Sequence, residues 1–493
     1  MQHYKMYIDG VFTDAADGET IETTNPYSGD VWATIPRARA ADVDRAVASA
    51  RAAMREGPWG TMSATERGKR LVALAALVEA NVELLAATET RDNGKLLRET
   101  RGQIGAIAEC WRYYGGLADK IEGRSIPLEK PDTIAFTTRE PIGVVAALTA
   151  WNSPLWFAAI KCAPAMAAGC AVVVKPSEFA SASTLEFTAL VERAGIPPGV
   201  FNVVTGFGHD VGAALVEHAD VAKITFTGSD VTGARVYESA ARGLKSVSLE
   251  LGGKSPNIVF DDANLDMAAA GAVSGIFGAS GQMCTAGSRL LVQRSILEEF
   301  TERLLTLARA IKLGDPMDPA TEVGPVATAP QFSKVLEYVA VAQADGARIA
   351  LGGEPADRAD LPGGQFMEPT VLTGVTNMMR IAQEEVFGPI LAIIPFDDEA
   401  EAIRIANDIP FGLVGGVWTR DIGRALRMSK ALEVGTVWVN TYRAYSYMVP
   451  FGGMKRSGLG RESGIEAVDE YLETKSVMIS MVETVPENPF IMR

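Results

Sequence analysis

Histidine is nearly absent from this chain, with 3 in 493 residues, and cysteine is scarce, with 4. None of His3, His209 and His218 neighbours a cysteine, which leaves little material for a Cys-His dyad of the protease kind. Cys110, Cys162, Cys170 and Cys284 form no Cys-x-x-Cys pair, so neither a zinc site nor a disulfide framework is indicated; no metal and a reduced, cytoplasmic setting are expected. Basic charge is also short, at 46 Lys and Arg against 61 Asp and Glu for a net charge of -15, which argues against nucleic acid as a partner. The most apolar region, Ile142 to Val174, is broken by Asn152, Pro154, Lys161 and Pro164 well short of the about 20 residues a bilayer requires. Met1 to Gly10 mixes polar and apolar residues instead of running basic and then apolar, so neither an export signal nor a membrane partner is expected.

What the chain does have is core: at 47% hydrophobic it is long enough for two or three domains. The first third carries Ala/Leu-rich helical periods at Ala41 to Arg55, Ala64 to Thr90 and Leu96 to Ala118. Gly123 to Glu140 follows, and the alternation Thr133-Ile134-Ala135-Phe136-Thr137-Thr138 predicts a strand excursion outside the main body. From Gly143 the rhythm changes. Apolar runs at Val144-Leu148, Ala171-Lys175, Phe201-Val204, Val221-Phe226 and Ser246-Leu249 alternate with helices starting near Pro154, Ser181, Asp210 and Asp230, which predicts an α/β fold with a doubly wound parallel sheet. A second α/β unit is predicted from strands at Asn257-Phe260, Arg289-Val292, Ile390-Ile394, Val414-Trp418 and Thr436-Val439, with helices at Leu265-Ala279, Leu297-Ile311 and Glu399-Ala406.

Parallel sheets bind ligands at the carboxyl ends of their strands, so the residues after each run are candidates. After the first comes Trp151-Asn152-Ser153-Pro154, where Ser153 is expected to cap and Pro154 to open a helix, leaving the Asn152 amide free to donate where negative charge develops. Lys175-Pro176-Ser177-Glu178 follows the second, and Thr227-Gly228-Ser229 leads into a helix N-terminus suited to an anion. Gly206-Phe207-Gly208-His209-Asp210-Val211-Gly212 has its third glycine one residue late for the dinucleotide fingerprint and reads as a turn. Cys284 sits in the glycine-flanked loop Gly281 to Arg289, and Glu250 stands at a strand end before Gly252-Gly253. A loop thiol with a carboxylate nearby is the pairing that covalent catalysis followed by hydrolysis requires. Taken singly, each has a plainer reading: Cys284 a buried structural cysteine, Glu250 a solvated strand-end charge, Asn152 a cap, Glu385 half of an acidic surface pair, Lys175 and Glu178 a surface ion pair.

Seven segments stand in an order that resembles NAD(P)-dependent aldehyde dehydrogenases of the hydrolytic branch, nearly end to end. They are Trp151-Asn152-Ser153-Pro154, Lys175-Pro176-Ser177-Glu178, Phe226-Thr227-Gly228-Ser229, Glu250 to Pro256, Gly281-Gln282-Met283-Cys284, Glu384 to Pro389 and Pro450-Phe451-Gly452-Gly453. The resemblance implies a Rossmann-type cofactor domain (1-122 and 142-252), an α/β catalytic domain (253-471) and a small β oligomerisation arm (123-141 and 472-493) that pairs subunits as a homodimer or homotetramer. It implies Cys284 as the nucleophile toward a small-molecule aldehyde, Asn152 and the Cys284 N–H as oxyanion donors, and Glu250 as the base for water. Lys161 and Glu462 form either a proton relay or a structural ion pair.

For the cofactor, the resemblance places Lys175, Ser177 and Glu178 at the adenosine ribose, Ser229 at the pyrophosphate and Glu385 at the nicotinamide ribose beside Phe387. Thr149, Trp151, Gly212, Phe226, Gly228 and Leu251 complete that set. Glu178 favours NAD, because a carboxylate accepts from a ribose 2′-OH and repels a 2′-phosphate; Lys175 and Ser177 leave NADP possible. By family position Trp156, Phe157, Met283, Thr285, Tyr442, Tyr445 and Phe451 line the substrate channel, favouring a hydrophobic or aromatic aldehyde. Arg443 in the same loop keeps an acid-bearing semialdehyde as the alternative. A coenzyme A-acylating enzyme is disfavoured because Glu250 is present, and a non-catalytic use of the fold because Cys284, Glu250 and Asn152 are all retained.

Overall fold

A computed structural model describes residues 1–358, 361–484, 488 and 490. The five β-branched runs after Gly143 form adjacent parallel strands, in the spatial order Ser246–Glu250, Val221–Thr227, Val144–Leu148, Ala171–Lys175, Phe201–Val203. Val144–Leu148 and Ala171–Lys175 are buried at every position, as continuous apolar runs covered on both faces by helices must be. The predicted strands agree with these to within a residue at each end.

Three features differ from the sequence expectation. The first third is not only helical: Met6–Ile8 and Val11–Thr13 extend the same sheet as an antiparallel hairpin, too short to show a period. The span Ala64 to Thr90 is two helices, Ala64–Ala80 and Val82–Asn93, bent by 72°. Asn81 makes the break, leaving helical backbone angles while its side-chain amide donates to the Leu77 carbonyl at 2.7 Å. The helix expected near Asp210 is a π-helical turn, Gly208–Gly212, followed by the short α-helix Ala213–Glu217.

The second unit is a seven-stranded sheet in the order Arg348–Leu351, Thr370–Thr373, Ile390–Phe396, Arg289–Gln293, Pro256–Val259, Val414–Trp418, Thr436–Val439. The helices Ala329–Ala344 and Ile422–Ala431 belong to it and were not predicted. One crossing matters for the site. The two-residue strand Gly458–Leu459 returns to the first sheet and pairs antiparallel with Ser246–Glu250, placing Gly458 opposite Glu250. It carries Glu462, far away in sequence, to the neighbourhood of Glu250.

The strand excursion is present as Thr133–Pro141, paired antiparallel from Pro141↔Leu472 to Thr133↔Ser480. Ser125–Ile126 completes this third sheet. Of the tail expected in the arm, residues 485–487, 489 and 491–493 lie outside the described residues. Among those described, no single helix is long and apolar enough to cross a membrane.

Candidate active site

The apolar helix Leu265–Phe277 ends in a kink that carries the chain to Cys284. Ala279, Ser280 and Gly281 all take left-handed backbone angles, with φ of 49°, 57° and 72°. Two of these are not glycine, a strain of about 1–3 kcal/mol each that surrounding contacts must hold. They do so: the Ser280 hydroxyl donates to the Gly324 carbonyl at 2.8 Å, and the Gln282 carbonyl oxygen of the side chain accepts from the Ala327 N–H at 2.9 Å. Cys284 follows, half-buried and free. Burial pushes its thiol pKa up, reinforced by the charges of Glu385 and Glu250.

Asn152 follows the strand Val144–Leu148, and its side-chain amide donates to the Gln282 carbonyl at 3.0 Å. The oxyanion candidate and the nucleophile's loop are thereby tied together. Ser153 does not cap its helix as expected; its hydroxyl donates to the Asn152 carbonyl at 2.7 Å and accepts from Lys95, while Pro154 does occupy the first helical turn.

Glu250 ends its strand with both carboxylate oxygens buried and without a hydrogen-bond partner. Burial raises its pKa well above the usual carboxylate range, with Glu462 adding to the rise while Lys161 and Arg461 oppose it. A Cβ on Gly253 would fall 2.6 Å from the Cys284 carbonyl oxygen, so only glycine lets the Glu250 to Gly253 segment press against the cysteine loop. Lys161, on the otherwise apolar helix Pro154–Ala168, forms a fully buried ion pair with Glu462, which also accepts from the Thr225 hydroxyl at 3.2 Å.

Ser229 caps the helix Asp230–Arg242 by accepting from the Thr232 N–H at 3.2 Å, leaving that N-terminus beside Gly228. Gly228 itself donates its N–H to the Glu250 carbonyl at 3.1 Å. Lys175 pairs with Glu178 at 3.2 Å, and the Ser177 hydroxyl accepts from the Phe179 N–H at 3.4 Å. Glu385 accepts from the Gly253 N–H at 2.9 Å and is pushed up to about 7 by burial. Phe387 meets Trp151 edge-on at 5.4 Å between ring centroids. Phe226 and Leu251 are buried beside this cleft, and Gly212 lies in the π-helical turn. The hydroxyls of Thr149 and Thr227 are buried without partners, and both follow or end strands of the first sheet. Buried, unpartnered hydroxyls at strand ends are what a site for a polar ligand leaves behind.

Comparison with known proteins agrees with this arrangement. A family profile described as "Aldehyde dehydrogenase family" matches residues 12–477. The chain belongs to the aldehyde dehydrogenase family. It is 47% identical, over 100% of both chains, to the (Z)-2-((N-methylformamido)methylene)-5-hydroxybutyrolactone dehydrogenase of Acinetobacter baylyi. It is 45% identical to an aldehyde dehydrogenase of Aspergillus niger, over 96% of this chain and 94% of that one. Among solved structures, betaine aldehyde dehydrogenase from Staphylococcus aureus in complex with NAD+ superposes with a TM-score of 0.97 at 42% identity, covering 99% of this chain and 96% of that one.

Within this aldehyde dehydrogenase the residues expected at the substrate separate into two groups. Trp156, Met283 and Phe451 are half-buried, and Tyr445 is exposed, stacked edge-on against Trp438 and Phe451. Thr285 is buried, with its hydroxyl bonded to Tyr445 and its carbonyl accepting from the Tyr442 hydroxyl at 3.0 Å. Phe157 instead belongs to the first hydrophobic core. Arg443 is already paired with Glu99 at 3.1 Å and donates to the Ser274 carbonyl at 3.2 Å. The sequence reading missed Asn93 and Lys95, which line a small cavity with Trp151, Asn152, Ala279 and Gln282. The only signal for them was the Asn-Gly pair that ends a helix, which marks a turn and says nothing about what the turn touches.

Proposed function

We propose that this chain oxidises an aldehyde to a carboxylic acid with reduction of NAD, using Cys284 as nucleophile, Asn152 as oxyanion donor and Glu250 as the base that activates water. The observation that carries it is Glu250: a buried carboxylate without partners, beside the cysteine loop, has no role in stability and does have one in taking a proton. The thiol gives up its proton to solvent as Sγ adds to the carbonyl carbon, giving a thiohemiacetal whose oxyanion is held by the Asn152 amide and the Cys284 N–H. A donor of this kind is worth about 3 kcal/mol. Once that carbon has lost hydride a thioester remains; Glu250 takes a proton from the water that cleaves the C–S bond and passes it to the departing sulfur, restoring the thiol.

NAD, when bound, supplies the hydride acceptor. The partnerless hydroxyls of Thr149 and Thr227, the helix start at Ser229 and the buried Glu385 fit such a dinucleotide, with Lys175, Ser177 and Glu178 at its adenosine end. The fold then divides by use into a cofactor domain (1–122 and 142–252) and a catalytic domain (253–471). Residues 123–141 and the described part of 472–493 form an arm. Ile126, Ile134, Met478 and Ile479 are exposed on that arm, an apolar face that pairing into a homodimer or homotetramer would cover. Four free cysteines suit a reducing, cytoplasmic setting.

A hydrophobic or aromatic aldehyde is the substrate favoured here, because the positions the family assigns to substrate, Trp156, Met283, Tyr445 and Phe451, are apolar or aromatic and none is fully buried, while Glu99 already balances the Arg443 charge. A second candidate, an aldehyde bearing an acid, is favoured by the Acinetobacter relative, since a 5-hydroxybutyrolactone is the ring-closed form of a 4-oxo acid. The test is NADH formation by the purified protein across aliphatic, aromatic and acidic aldehydes, with NAD and NADP in parallel and Cys284→Ala as control. Acid product without coenzyme A is expected. Equal kcat/KM for acetaldehyde and aromatic aldehydes would remove the preference for bulky substrates.

A further inference from the structure

The helix Val82–Asn93 stops at Gly94, whose φ of 76° caps it and whose N–H donates to the Thr90 carbonyl. A Cβ on Gly94 would fall 2.9 Å from Pro325 and 3.1 Å from Pro26, so the chain turns here in a space closed to any other residue. The turn brings Asn93 and Lys95 onto the segment that carries Asn152. The Asn93 amide donates to the carbonyls of Trp151, at 3.3 Å, and Asn152, at 3.4 Å, and its side-chain oxygen accepts from the Lys95 N–H at 3.0 Å.

The Lys95 ammonium donates to Gln103 at 3.1 Å and to the Ser153 hydroxyl. A hydroxyl has one proton. With Lys95 donating in, the Ser153 proton goes out, to the Asn152 carbonyl at 2.7 Å. The Asn152 amide in turn donates to Gln282, two residues before Cys284. Among the described residues Lys95 makes no ion pair, although it is half-buried and burial lowers its pKa. Glu89 and Glu99 lie near enough to favour its charge, but neither pairs with it and Glu99 is taken by Arg443; a cation kept inside on those terms is a cost to folding, one a methionine of similar length would avoid. Stability therefore does not account for it.

We propose that Lys95, acting through Ser153, is a positioning residue that holds the oxyanion donor Asn152 toward Cys284. The inference rests on the reading of Cys284 and Asn152 given above. Its test is the rate of the first turnover of NADH, measured in the full-length enzyme with an aldehyde the wild type oxidises, for Lys95→Met, Ser153→Ala and Asn152→Ala, singly and in pairs. Loss of an oxyanion donor costs about 10²–10³ in rate, so loosening it through Lys95→Met is expected to slow the burst about 10- to 30-fold, with a smaller loss for Ser153→Ala. In the Asn152→Ala background neither change should cost more than about twofold, because nothing remains to be positioned.

An equal loss from Lys95→Met in both backgrounds, or none in the wild type, would overturn the proposal. Lys95→Arg, which keeps the charge and a donor, should recover most of the rate. If Lys95→Met does not fold, the Ser153→Ala pair decides by the same criterion. A wild type that forms no NADH with any aldehyde sinks the underlying reading, and this inference with it; a wild type with a normal burst and additive variants sinks the inference alone.

Discussion

Two carboxylates lie within electrostatic reach of each other in this site, and both are buried, with Glu250 6% and Glu462 2% exposed. Glu462 has partners: Lys161 pairs with its Oε1 and the Thr225 hydroxyl donates to the same oxygen. Glu250 has nothing. An unpaired buried carboxylate loses its hydration without return, whereas a paired one recovers part of that loss. The same residue type, in adjacent places, thus serves opposite ends. Glu462 is built into an ion pair, and Glu250 is left unpaired, as the base proposed above has to be.

The largest effect should come from removing the unsatisfied carboxylate. Glu250→Gln keeps shape and burial but abolishes the base, so steady-state turnover should fall by about 10²–10⁴ while a burst of one NADH per site persists. Loss of the burst as well would place Glu250 in the attack step and not in hydrolysis. Because burial and Glu462 raise its pKa, wild-type hydrolysis should climb with pH along a limb lying above the usual carboxylate range, and Glu250→Gln should lose that limb. The sign for stability is opposite. A raised folded pKa means that the group's favourable contribution is present at low pH and is lost as pH rises through that value, so the Tm gain of Glu250→Gln should grow with pH.

Next in size is Lys161→Met, which breaks the satisfied pair and leaves Glu462 buried alone. A loss of about 3–5 kcal/mol is expected, measured by denaturant unfolding. The distinguishing readout is the Glu250 limb. Lys161 holds the pKa of Glu250 down, so its removal should move the limb to higher pH. An unchanged limb and an unchanged burst would confine the pair to structure and end any claim that it relays protons.

The difference between the two carboxylates could not be seen in the sequence. Glu250 was found because it precedes two glycines at a strand end, and Cys284 because glycines flank its loop. The periodicity of Val144–Leu148 and Ala171–Lys175 gave the first sheet for the same reason: continuous apolar runs have few other uses. What no local pattern showed was set by contacts far apart in the chain. Gly458–Leu459 is two residues long and has no local signature, yet it delivers Glu462 to Lys161, a pair that only the family resemblance implied. The clasp of Asn93 on Trp151 and Asn152 and of Lys95 on Ser153 joins residues 58 or 59 positions apart, and no pattern within either segment announces it. Arg443, which alone suggested a cation waiting for a carboxylate, finds one in Glu99. Charge read from a sequence shows what a residue could pair with, and only the fold shows that it already has.

The smallest effect supplies the control. Lys175 and Glu178 form another Lys–Glu pair, at 3.2 Å, in which Glu178 keeps 22% of its side chain exposed and Lys175 6%. Removing Glu178 leaves the buried Lys175 without its partner, so it should cost about 1–2 kcal/mol of stability, less than Lys161→Met because Glu178 itself is partly solvated. Its consequence should appear in cofactor choice, since a carboxylate near a 2′-phosphate is a like charge. At about 4 Å in water-like surroundings such a pair costs about 1 kcal/mol, so Glu178→Gln should raise kcat/KM with NADP about fivefold and leave the burst amplitude with NAD unchanged. A wild type that already favours NADP would show that Lys175 and Ser177 outweigh Glu178. In that case exposure, which makes this pair weak in folding, would also have made its charge too well screened to select a cofactor.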